Sequence, residues 1–391
     1  MKEPKSRPCE GSLSSSRGLR LAIVGGGTGG HVVPGLHLLE YLRDTGEAEL
    51  ESLVWFETGR EAESRSLARL EALVEGVPVT RIRIRVEPKG GGAPSLWRLL
   101  ARTPRAMMSA RAALRLHKID VLFGLGGFTL LPAVLAARSL GIPTALLEIN
   151  AQPGRAVRVL TPLARRVYHA WPASTPGNQN HKHRLTGPPL SPSLFAAGDA
   201  AVWKARGEDS EGNERPLLTI LGGSQGAGSL NDLVKTALPA WLDAGYSVVH
   251  QVGPGRLATG AAEARPGYLP LEFIDDIPGL LRASRLVVCR AGASTLAEIA
   301  ALGVPAVAVP YPGAGAHQLQ NARQLEGGVE IIRDQDLLQM GQARILHLAG
   351  DRGEAWRKSA ALLLQKCVPQ DSSSKILADL LELAGLIGPH A

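Results

Sequence analysis

Continuous apolar runs recur along this chain, and most are followed by a stretch in which apolar residues have helical spacing. Such runs, without polar alternation, are typical of strands that are buried on both faces of a parallel sheet. They predict strands over 19–24, 50–56, 79–86, 120–124, 143–148, 216–221, 247–252, 285–289 and 305–309. Helical spacing predicts one helix that starts at His31 and further helices over 60–74, 95–116, 130–140, 229–243 and 295–302. Residues 273–277 are predicted to form a short strand and a turn. The alternation of strands and helices predicts the α/β class.

Two glycine-rich loops directly follow a predicted strand, one in each half of the chain. They are residues 25–31 (GGGTGGH) and residues 222–227 (GGSQGA). A strand, a tight glycine turn and a helix N-terminus direct backbone N–H groups and the positive helix end toward a bound phosphate. Two such loops predict two Rossmann-like domains that face one cleft, with a diphosphate-carrying donor and a second phosphorylated substrate between them.

Length and composition support two domains. A chain of 391 residues with 45% apolar residues is long for one α/β core. We predict a disordered tail over 1–18, a first domain over 19–187 and a second domain over 188–367. A C-terminal helix, about 368–388, is expected to pack back on the first domain.

Net charge, cysteine spacing and hydropathy indicate which partners and which cellular compartment suit the chain. The net charge of +7 favours acidic partners, although it also suits plain solubility. The three cysteines, Cys9, Cys289 and Cys367, are far apart and suit a reducing compartment. No apolar run reaches the roughly 18–20 residues that span a bilayer. The N-terminal segment has no apolar core of a secretory signal.

The first glycine loop also matches a dinucleotide fingerprint through Gly25, Gly27 and Gly30. That fingerprint needs an acidic residue about 20 positions on, to hold a ribose. The nearest candidate, Glu57, lies 27 residues after Gly30. A nicotinamide-dependent oxidoreductase is therefore a distant alternative.

Three polar positions are candidates for chemistry. His31 lies at a predicted helix N-terminus, where the dipole favours the neutral imidazole; it suits a base or a phosphate contact, or a structural cap. Glu298 lies six residues after Gly292 and suits two vicinal hydroxyls, or is a solvated helix residue. The loop residues His317, Gln318 and Asn321 suit recognition of sugar hydroxyls, or form a polar loop.

A basic and apolar stretch runs over 89–115 and suits an anionic bilayer surface. The alternative is a core helix with a solvated arginine face. The predicted membrane contacts are Leu96, Trp97, Arg98, Leu99, Leu100 and Arg102. With 4% aromatic residues and no stacking pattern, nucleic acid is not an expected partner.

No spacing typical of metal ligands is present, and Asp275 and Asp276 are adjacent rather than alternating. We therefore expect neither a metal ion nor another cofactor.

Taken together, the motifs resemble those of the MurG family of peripheral membrane glycosyltransferases. These enzymes move N-acetylglucosamine from UDP onto the muramyl-pentapeptide-diphospho-undecaprenol lipid of cell-wall synthesis. The resemblance covers about residues 19–325. It rests on 25–31 with Pro34, on 126–128 (GGF), on 148–150 (EIN) with Pro153 and Gly154, and on 222–227, 273–277, 290–298, His317, Gln318, Asn321 and Ala322.

The resemblance implies a GT-B fold, an inverting hexosyltransferase activity and a place at the cytoplasmic face of the cell membrane. It implies that Ile277 faces the uracil, that Glu298 holds the ribose, that Ser224 and Gln225 contact the diphosphate and that His317 and Gln318 read the sugar. The implied donor-binding set is Thr28, Gly29, Gly30, Asn150, Ser224, Gln225, Ile277, Arg290, Ser294, Glu298, His317, Gln318 and Asn321.

The implied acceptor side comprises Gly26, Gly27, His31, Gly126, Gly127 and Asn150, with His31 the candidate catalytic base. The implied partners are UDP-N-acetylglucosamine, the undecaprenyl-linked acceptor lipid, an anionic membrane surface and other cell-wall synthesis proteins.

Two segments depart from the family pattern. Residues 187–191 read GPPLS where the family has GNPVR, and residues 147–150 read LEIN where it has HEQN. The departures leave two alternatives open, a UDP-sugar transferase with another lipid acceptor and a UDP-sugar-binding relative without turnover.

Overall fold

The computed structural model describes residues 17–26, 29–84, 96–177, 181–196, 200–205, 214–257, 265–314 and 317–388. Within 96–100 it describes the backbone only. The described residues form two parallel sheets, each covered by helices on both faces, which confirms the predicted α/β class.

The first sheet has seven parallel strands in the order β3-β2-β1-β4-β5-β6-β7. Because the chain starts in the middle of the sheet and winds outward in both directions, the order reverses between β1 and β4. The strands are β1 (Leu19–Gly25), β2 (Leu50–Glu57), β3 (Val79–Arg83), β4 (Val121–Gly126), β5 (Thr144–Glu148), β6 (Arg166–His169) and β7 (His183–Leu185).

The helices of this first unit cover both faces of its sheet. They are α1 (Val33–Thr45), α2 (Glu61–Ser66), α3 (Leu70–Leu73), α4 (Leu96–Leu116), α5 (Leu130–Ser139) and α6 (Arg155–Leu160), and short 3₁₀ turns lie at Gly29–His31, Thr161–Leu163 and Pro172–Ser174. One apolar layer packs α1 and α3 on β1, and another packs α4 and α5 on the opposite face.

The second sheet repeats this plan with six parallel strands in the order β10-β9-β8-β11-β12-β13. Its strands are β8 (Leu217–Leu221), β9 (Ser247–Gln251), β10 (Tyr268–Leu271), β11 (Ser284–Arg290), β12 (Ala306–Val309) and β13 (Val329–Ile331). Its helices are α7 (Ala200–Ala205), α8 (Gly228–Asp243), α9 (Ile277–Ala283), α10 (Ala293–Leu302), α11 (His317–Arg323), α12 (Leu337–Ala349) and α13 (Glu354–Leu364).

The last helix, α14 (Ser372–Leu383), lies on the first unit although it follows the second in the chain. Ile376, Leu377 and Leu380 are fully buried in the apolar layer that contains Leu21 and Ile23 of β1. Burial of that face attaches the end of the chain to the first sheet. The numerical domain boundaries given above remain predictions.

Asp379 on α14 is buried and accepts a hydrogen bond from the Tyr168 hydroxyl at 2.7 Å. It also pairs with Arg166 at 3.2 Å and Arg184 at 2.8 Å. We expect Asp379→Ala to lower the free energy of unfolding by about 2–3 kcal/mol, because buried polar partners lose their acceptor. Urea denaturation followed by circular dichroism measures this.

Asp371→Ala is the matched control, because it removes an exposed pair with Lys375 near the start of the same helix. A surface pair of this kind contributes within about 0.5 kcal/mol. Equal effects of the two substitutions would contradict the structural role assigned to Asp379.

Two sequence-based element predictions were wrong. Residues 273–277 form no strand; the strand precedes them, and the Asp276 side chain accepts the Gly279 N–H at 2.8 Å and starts α9. The single helix over 60–74 is two short helices, because a tight turn joins Leu67 to Leu70. Among the described helices, none combines the length and apolar character needed to cross a bilayer.

Candidate functional site

The two sheets place their crevices at equivalent positions. In doubly wound sheets, ligands bind beyond the carboxyl ends of the strands, where the strand order reverses. These points lie between β1 and β4 in the first sheet and between β8 and β11 in the second. Each is the place where a glycine-rich loop leaves its strand, so the topology assigns both loops to binding sites.

The first crevice is formed by the loop after β1 and the loop after β4. A Cβ on Gly126 would lie 2.9 Å from His31 Cδ2, and one on Gly127 would lie 2.7 Å from the Gly26 carbonyl oxygen. Both residues also have positive φ, +119° and +84°. Glycine is therefore required at both positions if the two loops are to touch. Gly27 and Thr28, also predicted to bind substrate, lie outside the described residues.

We expect Gly126→Ala to reduce the glycosyl transfer that the family resemblance implies at least tenfold, because its methyl group displaces the His31 ring. Initial rates at saturating donor measure the effect. Gly141→Ala is the matched control, since Gly141 also has positive φ, +74°, but nothing lies within 4 Å of its added Cβ. If both variants lose activity equally, backbone strain rather than displacement of His31 is the cause.

His31 ends the 3₁₀ turn Gly29–His31 beside this crevice. Its Nδ1 lies 3.3 Å from the Gly26 carbonyl oxygen, which only accepts, so in the neutral ring Nδ1 carries the hydrogen and Nε2 is the basic nitrogen. Burial lowers the pKa of His31, the hydrogen bond to Gly26 opposes this shift, and His317 across the cleft lowers the pKa further. The ring is therefore neutral at neutral pH and suited to accept a proton.

A buried carboxylate shapes the loop that carries Asn150. Glu148 accepts hydrogen bonds from the backbone N–H groups of Asn150 at 3.0 Å and Gly154 at 2.7 Å. Burial raises the pKa of Glu148, and these hydrogen bonds oppose the shift. The loop is thus held from beneath, with Asn150 at its edge.

Contacts between the two units close the base of the cleft. The Asn321 Oδ1 accepts the Ala151 N–H at 2.9 Å, and its Nδ2 donates to the Asn150 Oδ1 at 3.2 Å. His317 Nδ1 lies 3.1 Å from the Gln152 carbonyl oxygen. The sequence predicted His317 and Asn321 at the donor and Asn150 at both the donor and the acceptor; the structure brings the three together as a bridge between the units.

The second crevice carries the loop after β8. Gly226 has φ +69° and approaches the Val252 carbonyl closely, and a Cβ on Gly222 would lie 2.8 Å from the Ala227 nitrogen. These approaches turn the chain into α8, with Ser224 half-buried and Gln225 exposed at the turn. The sixteen-residue helix α8 therefore directs its N-terminus at this crevice.

The adjoining loop after β11 leads into α10. The Ser294 hydroxyl is buried and has no hydrogen-bond partner among the described residues. One turn later the Glu298 carboxylate is largely buried, and burial raises its pKa to about 7. A buried hydroxyl and a desolvated carboxylate on one helix end are suited to a polar ligand.

The other predicted donor residues have local partners. Arg290 pairs with Asp334, donates to the Ser229 hydroxyl at 2.8 Å and lies over the Tyr311 ring. The Gln318 Oε1 accepts the Tyr311 N–H at 2.8 Å. Ile277 is the first residue of α9, after the loop that follows β10, and packs against the core of the second unit.

The predicted membrane surface falls on α4, which packs on α5 through buried Ala110, Ala113 and Leu114. Arg102 and Arg105 are exposed on it, and Met108 is 71% exposed. The side chains of Leu96, Trp97, Arg98, Leu99 and Leu100 lie outside the described residues.

Two buried polar residues near the cleft, Glu63 and His37, were not among the predicted site residues. The Glu63 carboxylate lies against Gly26 and accepts the N–H groups of Thr58 at 2.9 Å and Gly59 at 3.0 Å. His37 lies between the two units, beside Glu298. Neither has a sequence signal, because both lie in helices with ordinary spacing. Over the described parts of the chain, no group of three His, Cys, Asp or Glu side chains is arranged to hold a metal ion.

Comparison with known proteins agrees with this geometry. Residues 21–169 match the glycosyltransferase family 28 N-terminal domain, and residues 217–364 match its C-terminal domain. A protein of Sorangium cellulosum, named UDP-N-acetylglucosamine–N-acetylmuramyl-(pentapeptide) pyrophosphoryl-undecaprenol N-acetylglucosamine transferase, is 35% identical over 93% of this chain and 88% of its own length.

A protein of the same name from Prochlorococcus marinus is 32% identical over 92% of both chains. The crystal structure of Acinetobacter baumannii MurG superposes with a TM-score of 0.66 and 26% identity, covering 93% of this chain and 99% of that one. The fold is therefore the GT-B fold that the motifs predicted, and the chain belongs to the MurG family of glycosyltransferases.

Proposed function

We propose that this chain transfers N-acetylglucosamine from UDP-N-acetylglucosamine to muramyl-pentapeptide-diphospho-undecaprenol, the step from lipid I to lipid II in peptidoglycan synthesis. The observation that carries the proposal is the pair of glycine loops at the two switch points, one beside neutral His31 and the other beside Glu298. The names of its relatives give the donor and acceptor.

The second unit binds the donor in this proposal. Glu298 accepts hydrogen bonds from the two ribose hydroxyls, and the buried Ser294 hydroxyl forms a hydrogen bond with the bound donor. Ser224 and Gln225, with the N-terminus of α8, hold the diphosphate. Ile277 contacts the uracil, and His317 and Gln318 lie where the sugar enters. Arg290 supports the loop through Asp334 and Ser229 rather than by direct contact.

The first unit binds the acceptor diphosphate with the loops around Gly26 and Gly126, on the side of the cleft that carries Asn150. The acceptor hydroxyl oxygen attacks the anomeric carbon while the bond to the UDP oxygen breaks, which inverts configuration. The hydroxyl proton passes to His31 Nε2, and UDP leaves with the bonding electron pair. The backbone N–H groups of the second loop and the α8 dipole stabilise the developing charge on UDP.

The exposed face of α4, with Arg102, Arg105 and Met108, is proposed to rest on the anionic cytoplasmic face of the cell membrane. This places the acceptor crevice near the lipid-borne substrate. Other proteins of cell-wall synthesis are proposed to share that surface.

The two alternatives have specific tests but less support. The unusual segments at 147–150 and 187–191 motivate another lipid acceptor or a binder without turnover. In the structure, however, Ser191 caps the 3₁₀ turn Pro192–Leu194, and Glu148 and Asn150 keep an ordered loop. The altered segments are therefore compatible with an intact cleft.

The deciding experiment is transfer of labelled N-acetylglucosamine from its UDP conjugate to a lipid I analogue, with and without EDTA. We expect product in both conditions. Absence of product, while UDP-N-acetylglucosamine still binds, would favour a binder or a different acceptor, which a panel of lipid acceptors separates.

A further inference from the structure

A histidine from the first unit reaches the proposed ribose site of the second. His37 lies on α1, and its Nε2 is 3.6 Å from Glu298 Oε1 on α10. Its Nδ1 is 3.1 Å from the carbonyl oxygen of Pro189, in the segment that joins the two units. The side chains are 7% and 14% exposed, so little water separates them.

The hydrogen bond to Pro189 fixes where the hydrogens lie. A carbonyl oxygen only accepts, so His37 Nδ1 carries a hydrogen. A neutral ring then presents the Nε2 lone pair to Glu298, and an ionised carboxylate also presents a lone pair. Two acceptors at this distance, both largely buried, repel each other. One additional proton between Nε2 and Oε1 removes the conflict.

The titration directions agree with this arrangement. Burial lowers the pKa of His37 to about 4 and raises the pKa of Glu298 to about 7. Below about pH 7 the proton therefore resides on the Glu298 carboxyl group, which faces His37 Nε2 at 3.6 Å.

We propose that His37 and Glu298 share one proton in the donor-free protein, and that binding of the UDP-sugar releases this proton to solvent. The inference rests on the proposed role of Glu298 at the ribose. Two vicinal hydroxyls bind best to an ionised carboxylate, whose two oxygens each accept a hydrogen bond, because charge-assisted hydrogen bonds are about twice as strong as neutral ones. The hydroxyl hydrogens then take the place of the released proton. His37 is thus a positioning residue that tunes donor binding.

The surroundings of the pair include several other charged groups. On α1, Glu40 raises the pKa of His37, and Arg69, which precedes α3, lowers the pKa of both groups. The other titratable or charged side chains on the helices and turns that pack against α1 and α10, or at the N-cap of α14, are His31, Glu71, Asp371, Lys375, Asp379, Glu382, Arg282, His317, Arg323, Glu354, Arg357 and Lys358. Asp371 pairs with Lys375, and Glu354 pairs with Lys358.

The test is calorimetric titration with UDP-N-acetylglucosamine, whose phosphates are both esterified and do not titrate near neutral pH. Repeating the titration in buffers with different heats of ionisation counts the protons released. We expect about one proton released at pH 6 and almost none at pH 8. Because the protonated form must ionise before it binds, affinity is expected to fall about tenfold per pH unit below 7 and to be constant above it.

The decisive variant is His37→Asn, whose amide still donates to Pro189 but places nothing at the Nε2 position. We expect its affinity at pH 8 to match the wild type, its proton release at pH 6 to fall by more than half, and its affinity at pH 6 to exceed the wild type. The matched control is His347→Asn on α12, an exposed residue, which should change nothing. If His37→Asn does not fold, His37→Ala is the second variant, which also leaves the Nε2 position empty, with the same loss of proton release expected.

The outcomes separate the inference from the proposed function. Wild-type binding without proton release, or equal loss of affinity by His37→Asn at both pH values, overturns the shared proton. Unchanged donor binding by Glu298→Gln instead overturns the ribose assignment. Weaker donor binding by Glu298→Gln together with no proton release in the wild type overturns the shared proton but leaves the ribose assignment of Glu298 intact.

Discussion

Replacing His31 by glutamine is expected to lower kcat for N-acetylglucosamine transfer by about 10²–10⁴-fold, the range for loss of a general base. Glutamine is close to histidine in size, but it accepts no proton at neutral pH. Dissociation constants for donor and acceptor are expected to change little, since the loops stay in place. Steady-state kinetics and equilibrium binding of a lipid I analogue together measure the split.

The pH profile provides the second readout for His31. Because burial lowers the pKa of this residue, the neutral ring persists below the ordinary histidine range, and kcat is expected to fall only at more acidic pH. The glutamine variant should lose this acidic limb. If acceptor affinity collapses while kcat at saturation is retained, His31 orients phosphate and is not the base.

Replacing Glu298 by glutamine is expected to lower kcat/KM for UDP-N-acetylglucosamine about a hundredfold, as two charge-assisted hydrogen bonds to the ribose weaken. Most of the loss should appear in KM, because the ribose lies away from the bond that breaks. Initial rates over a donor concentration series measure it. Glu354→Gln on α13 is a suitable control, since Glu354 pairs with exposed Lys358.

A donor analogue sharpens this experiment. The 2′-deoxy form of the donor should bind the wild type less well than the natural donor, and should bind Glu298→Gln almost as well as the natural donor does. Additive losses from the analogue and the substitution would show that Glu298 does not contact that hydroxyl.

The sequence predicted central strands well and edge strands poorly. The runs that became β1, β4 and β8 are almost wholly apolar because both sheet faces are covered, and that pattern indicates a buried strand clearly. In contrast, β6 (RVYH), β7 (HRL) and β13 (VEI) are short and partly polar, since they lie toward the sheet edges. Such segments form strands because they pair with an adjacent strand of the sheet. Local composition does not reveal this pairing.

In the candidate site, too, residues fixed by local sequence were predicted and residues brought together by distant contacts were not. The glycine loops, His31 and Glu298 were found because strand, turn and helix spacing fixes them locally. The contact of Asn321 with Asn150 joins residues 171 positions apart, and that of His37 with Pro189 joins residues 152 positions apart. These positions follow from the way the two sheets meet, which short-range patterns do not encode. The family resemblance supplied donor and acceptor, which the spacing alone left open.

The return of α14 to the first unit makes the chain cross between the units twice, and the two crossings touch. Ser373 accepts the Leu190 N–H at 3.1 Å and donates to the Leu190 carbonyl at 3.0 Å, while Gly187 lies against Pro369 and Ser372. These two contacts lie along one line and together act as a hinge axis. We therefore expect the cleft to open by rotation of the two units about this axis, because a twist of one sheet against the other would break both contacts.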